Sequence, residues 1–250
     1  MATGGKFLGL ATLSVGIIYA GVAIVAGAPS SSGASGTATL GQGVAQIQQM
    51  PTQAAIEKTT LLASGAEIFE NLTETSSVMD ATTFKTSLAE FEMLYPEISA
   101  CLSPDQKTRL DSLVTGIRKA WQKRDRGAMV IRSIEAYRLL QESIDHRNQP
   151  VPVEVPLLDY VGFKLRALLL STHPDWKQIA HTTQEASAWW DAIETQITDK
   201  VLREAMAQTI AGIKDASARK DPRLLSFVVE LDLILVDGLE IFFSSHQPAH

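Results

Sequence analysis

Apolar positions along this chain recur at three- and four-residue intervals, the spacing that places them on one face of an α-helix. After a candidate start at Pro51, the first such stripe is Ile56, Leu61, Leu62, Ala66, Phe69 and Leu72, and Thr73 to Ser77 interrupts it. Asp80 is placed to cap a second helix through Phe84, Leu88, Phe91 and Leu94, which Pro96 is expected to kink or end. Ser103-Pro104-Asp105-Gln106 joins an N-cap, a proline at the first position, an acid in the first turn and a capping-box glutamine. That third helix carries Leu110, Leu113, Val114, Ile117 and Trp121 and ends in the charged run Lys123-Arg124-Asp125-Arg126. Asp125 then caps a fourth, predicted to reach about Asp145.

A second series follows the proline-punctuated connector His146 to Pro156. The pattern predicts a helix from Pro156 or Leu157 to about Thr172, and another started by His173-Pro174 with Trp176, Ile179, Trp189, Trp190 and Ile193. Thr198 or Asp199 caps a third, through Leu202, Met206, Ile210 and Ile213. Asp221-Pro222 caps the last, which contains the nearly all-apolar stretch Leu224 to Phe243. Leu157 to Leu170 and Leu224 to Phe243 carry more apolar surface than an amphipathic surface helix needs, so they should be central or bury against a partner.

The expected fold class is therefore all-α: two related four-helix units, read as an internal duplication of about 95 residues. Gly116-Ile117 matches Gly212-Ile213, Ala120 matches Ala216, and Lys123-Arg124-Asp125 matches Arg219-Lys220-Asp221. After a one-residue shift, Glu135, Glu142 and Asp145 fall on Glu230, Asp237 and Glu240.

The N-terminus obeys a different pattern. Phe7 to Ala28 is uncharged, preceded only by Lys6. About 20 helical residues at a rise of about 1.5 Å span about 30 Å, the thickness of a bilayer's hydrocarbon core. An uncleaved membrane anchor is favoured, because Pro29 would follow a cut after Ala26-Gly27-Ala28; a cleaved secretory signal is the alternative, and Gly21-Val22-Ala23 offers a second site. Either way the body is expected outside the cytoplasm, on the periplasmic side. Pro29 to Gly43 is small, uncharged and low in complexity, the composition of a flexible tether. The boundaries that follow are 1–28 for the anchor, 29–46 for the linker and 47–147 for the first unit. The connector is 148–155, the second unit 156–244 and a disordered tail 245–250.

Composition narrows the chemistry. A formal charge of −6, with Lys6 the one basic residue of the first 28, leaves no basic stripe in the sequence for a nucleic-acid partner, which is disfavoured. One cysteine, Cys101, excludes an intrachain disulfide and a multi-thiolate metal site. No Gly-x-Ser-x-Gly elbow, phosphate-cradling glycine loop, haem-attachment or zinc-protease motif occurs, so an enzyme is disfavoured and no cofactor is implied.

Three constellations remain. Glu230, Asp237 and Glu240 fall on one face of the last helix, while Asp232 points away from it. They could bind a cation, or form a wet stripe paired with Lys164, Arg166 or Arg203. His181 and Glu185, one helical turn apart, could add to a weak metal site, although no Glu-x-x-His motif is present. Trp176, Trp189 and Trp190 could line a ligand pocket or an interface, with core packing as the default. In the first unit Arg138, between Glu135 and Glu142, reads as a surface ion-pair ladder. The function this supports is a membrane-tethered, non-catalytic helical module that binds a protein partner, a second copy or a ligand. A carboxylate/His metal-binding bundle and a small-ligand sensor are the alternatives.

Overall fold

The computed structural model describes residues 52–245. The expected anchor, the linker, the start at Pro51 and the tail beyond Ser245 lie outside the described residues. Within them the chain is all-α, with eight helices: α1 Gln53–Glu74, α2 Ala81–Cys101, α3 Pro104–Gln122, α4 Arg126–Gln141, α5 Glu154–Leu168, α6 Trp176–Ile193, α7 Lys200–Arg219 and α8 Pro222–Ser245.

Side chains set most of the helix starts. Asp80 Oδ1 accepts from the Thr83 N–H at 2.8 Å, and Asp125 Oδ1 from Ala128 at 2.9 Å. Ser103 and Gln106 close the full capping box. Asp199 and Asp221 cap α7 and α8 in the same way. Each such cap contributes about 1 kcal/mol.

Several boundaries differ from the sequence expectation. Helix α2 continues through Pro96 to Cys101, because residues on both sides of the proline are anchored. Ile98 is fully buried, and Tyr95 bonds Asp111. Those contacts offset the roughly 3 kcal/mol that an interior proline costs. Helix α4 stops at Gln141, where Ser143 Oγ donates to the Leu139 carbonyl and accepts from Gln106. Pro156 falls inside the first turn of α5, which begins at Glu154 and ends at Leu168. In that turn a missing N–H leaves no bond unmade. Asp175, not His173-Pro174, caps α6.

Both sets of four pack in the same order. The first helix lies against the second and fourth, and the third against the fourth; α4 against α5 joins the two sets. They differ in one pair, since α6 packs on α7 while α2 and α3 do not pack closely along their length. The turns before α4 and α8 also correspond. Arg124 and Lys220, 96 positions apart, both adopt left-handed backbone, with φ of 58° and 54°. After each, the aspartate N–H returns to an alanine carbonyl, Asp125 to Ala120 and Asp221 to Ala216, both at 2.9 Å. The same spacing relates buried Met129, Ser133, Ala136 and Leu140 to buried Leu225, Val229, Asp232 and Val236. Core positions therefore keep a constant register. The acids, which need a one-residue shift, do not follow it.

Helix α5 is the central element, buried nearly all round between α4, α6 and α8. Its approach to α8 depends on Gly162, where a Cβ would lie 2.6 Å from Leu233 Cδ2 and 3.0 Å from Asp232 Oδ2. Gly162→Ala gains helix propensity of up to about 1 kcal/mol but forces the seam apart at about 1–3 kcal/mol. A net loss of up to about 2 kcal/mol is expected in urea unfolding, and a stabilised variant would show that Leu233 yields freely.

Candidate functional site

Helix α8 shows three different faces. Its inner face runs Leu225, Val229, Asp232, Val236 and Leu239, all buried. Asp232 is thus part of the core, fully buried beside Gly162, and neither carboxylate oxygen has a hydrogen-bond partner. Burial pushes its pKa up to about 8. The sequence reading set Asp232 apart from the other acids without recognising where it points. Its phase with the flanking apolar residues was the available signal.

One edge of the same helix carries the remaining acids. Glu230 is exposed and pairs with Arg166 at 3.8 Å. Glu240 instead turns towards acids of other helices, with the exposed Asp237 at the margin of that group. Burial raises Glu70 of α1 to about 8, helped by Glu240, Glu74, Glu67 and Asp237. Asp159 of α5 is buried, has an unpartnered Oδ2, and is raised well above the carboxylate range by burial and then by Glu70 and Glu240. Glu240 itself rises to about 7 through burial and Asp237. Tyr137, buried in α4, faces the same group. Glu70 and Asp159 are members that sequence reasoning missed, because Glu70 sits on an ordinary amphipathic helix and Asp159 inside an apolar run. Among the described residues no group of three or more His, Cys, Asp or Glu is arranged to hold a metal ion.

A second polar centre joins the two sets of helices. Glu135 accepts from Lys164 at 2.9 Å, from the Tyr160 hydroxyl at 2.8 Å and from Arg109 at 3.2 Å. Arg138 does not form the expected ladder with Glu135. It bonds Glu142 at 2.7 Å and reaches across to Glu185 of α6 at 2.8 Å. The guanidinium lies 4.9 Å from the Tyr160 ring centroid and 5.3 Å from that of Trp189. Nor is this a surface feature: the side chains of Arg138 and Glu185 are only 21% and 17% exposed. The reason is packing, since α4 is covered here by α5 and α6. Burial opposes the charge on Arg138, but Glu142, Tyr160 and Glu185 outweigh it and raise its pKa. Burial also works against ionised Glu135, and Lys164 reverses that, leaving its pKa lowered.

The remaining candidates separate. His181 lies 3.5 Å from Glu185, but both sit on α6, and Glu185 is held by Arg138 away from the α8 acids. Trp190 is buried core, Trp176 is half-buried at the start of α6, and Trp189 packs edge-on to Tyr160 at 6.1 Å. Lys164 and Arg203, proposed partners of the α8 acids, serve Glu135 and the Ile197 carbonyl instead. Cys101 is free and half-buried at the end of α2.

The outer face of α8 is apolar. Phe227, Leu231, Ile234 and Ile241 are 62%, 37%, 63% and 57% exposed. Their spacing of four, three and seven residues holds them within one narrow stripe of the helix. Of the nine large apolar side chains exposed among the described residues, these four share one helix, so they form a surface and not scattered exposure. Among the described residues no helix is long and apolar enough to cross a membrane. No protein-family model, curated protein or solved structure matches the chain.

Proposed function

We propose that this chain is a non-catalytic helical interaction module, tethered to a membrane by residues 1–28, with its body on the extracytoplasmic side and the outer face of α8 as its docking surface. The observation that carries this reading is the stripe Phe227, Leu231, Ile234 and Ile241, exposed on a helix whose opposite side is core. Contiguous apolar surface of that kind marks interaction sites. The occupant is a partner helix with its own apolar stripe flanked by Lys or Arg. Glu230 and Asp237 run along one edge of the stripe, seven residues apart. In two antiparallel copies of α8 those acids would face one another, whereas basic flanks on a different helix would neutralise them. The common packing order and the matched turns before α4 and α8 support reading the two sets of helices as a duplication in which α8 took on this role.

A photoreactive cross-linker at position 231 of the full-length chain, in its native membrane, tests this. The expected product joins that position to a helical segment of another protein with basic flanks. Phe227→Gln together with Ile234→Gln should abolish it while changing stability by less than about 1 kcal/mol, since both sites are exposed. A monomer with no product, or a product linking two copies of this chain, overturns the reading.

A further inference from the structure

The one pair of helices that differs between the two sets encloses a groove. Where α6 closes on α7, α2 and α3 are instead bridged by three large side-chain pairs. Tyr95 bonds Asp111, Arg118 bonds Glu92, and the Phe84 ring stacks on Trp121 at 4.2 Å between centroids and 8° between planes. The space left is a cavity of about 930 Å³, within the roughly 300–1,000 Å³ range of small-molecule sites. Trp121, with the edges of Phe84 and Leu88, forms its apolar floor over the buried Met129, and Lys85, Arg118, Arg124 and Arg126 stand around it. Glu92 is the single acid in the lining, and Arg118 already takes it. Arg126 donates to the Ser76 and Ser77 carbonyls at 2.7 and 2.6 Å, which fixes its charge at the rim. Lys85 and Arg124 have no ion-pair partner among the described residues. In a chain of net charge −6, this is a local reversal of sign over an apolar floor.

We propose that the α2–α3 groove binds a small amphiphilic anion, its alkyl or aryl body on the Phe84–Trp121 floor and its carboxylate or phosphate head at the Lys85 and Arg124 rim. An apolar body supplies most of the affinity in such sites, and a few charged groups fix the orientation. The unpaired cations select an oxyanion over a neutral head, because leaving them without a counter-charge forfeits that attraction. This site is separate from the α8 surface, and either proposal can fail without the other.

Calorimetric titration of the full-length chain in phosphatidylcholine nanodiscs, with empty discs as the blank, tests it. Octanoate and octyl phosphate are the probes, with octanol and inorganic phosphate as the comparisons. Saturable binding of one octanoate or octyl phosphate per chain is expected, and whichever binds tighter identifies the head group. Octanol should bind at least tenfold more weakly, and inorganic phosphate should give no heat. Lys85→Glu should weaken binding at least tenfold, and Ala89→Trp, at an exposed lining position, should abolish it. Phe227→Gln on α8 should change nothing. The proposal is overturned by heats no larger than those of empty discs, by binding that survives Ala89→Trp or falls with Phe227→Gln, by octanol binding equally well, or by inorganic phosphate binding on its own.

Discussion

Asp232→Asn is expected to stabilise the folded protein by several kcal/mol at pH 8 and hardly at all at pH 4. The carboxyl of Asp232 is fully buried and unpartnered, and burial moves its pKa from 3.8 to about 8. Between those two values the folded state holds a proton that the unfolded state has released. Stability therefore falls as pH rises through that window, by an amount with an upper bound on the order of 5 kcal/mol. Asparagine keeps the shape and never ionises. Below pH 4 both side chains are neutral, buried and unpaired, so the variant and the parent converge. Urea unfolding of both proteins at pH 4 and pH 8 measures the difference directly. Parallel pH profiles would mean that Asp232 is hydrated or paired, contrary to the geometry.

The acids between α1, α5 and α8 act in the same direction. Glu70 and Glu240, at about 8 and about 7, and Asp159, raised well above the carboxylate range by burial, all favour protonation in the folded state. Burial raises Asp237 as well. The elements packed around them contribute Tyr137, Glu67 and Glu74. Glu135 opposes them, because Lys164 lowers its pKa. Its contribution is present above the ordinary carboxylate range and is lost as pH falls through it. The parent protein should accordingly be more stable near pH 5 than at pH 8, and Asp232→Asn should flatten that slope in part only.

The helices were legible in the sequence because their signals are local. Asp80, Ser103, Asp125 and Asp221 cap where their spacing to the apolar stripes placed them. Pro96 misled because the cost of an interior proline is local, while the contacts of Tyr95 and Ile98 that outweigh it are tertiary. Periodicity places Glu230, Asp237 and Glu240 on one face of α8 and Asp232 off it, and the structure divides all four by what lies opposite. Arg166 meets Glu230, Glu70 and Asp159 meet Asp237 and Glu240, and nothing polar meets Asp232. Periodicity within one helix gives the direction of a side chain but not the identity of its neighbour. The same gap hid the partners of Arg138. Glu142, one turn away, was visible in the spacing, whereas Glu185 lies 47 residues on.

Arg138→Ala is the substitution that tests how the two sets of helices are joined. It removes the cation that holds Glu142 and Glu185 together and stacks on Tyr160 and Trp189. Glu185 is the group that suffers. Its Oε2 makes no hydrogen bond and has only His181 beside it, at 3.5 Å, and its side chain is mostly buried. Breaking a buried pair by removing one partner costs about 3–5 kcal/mol. The residual exposure of both side chains brings the expectation to about 2–4 kcal/mol, because solvent screens part of the interaction. Glu185→Ala alone should cost less, since Arg138 keeps Glu142 and the two rings. The double variant should therefore be less destabilised than the sum of the singles, with a coupling of about 1–2 kcal/mol in urea unfolding. Arg138→Lys should recover little, because an ammonium cannot bond both acids and stack on both rings at once. Additive single effects would mean that α4 and α6 are held together by α5 alone, with the arginine bridge contributing nothing of its own.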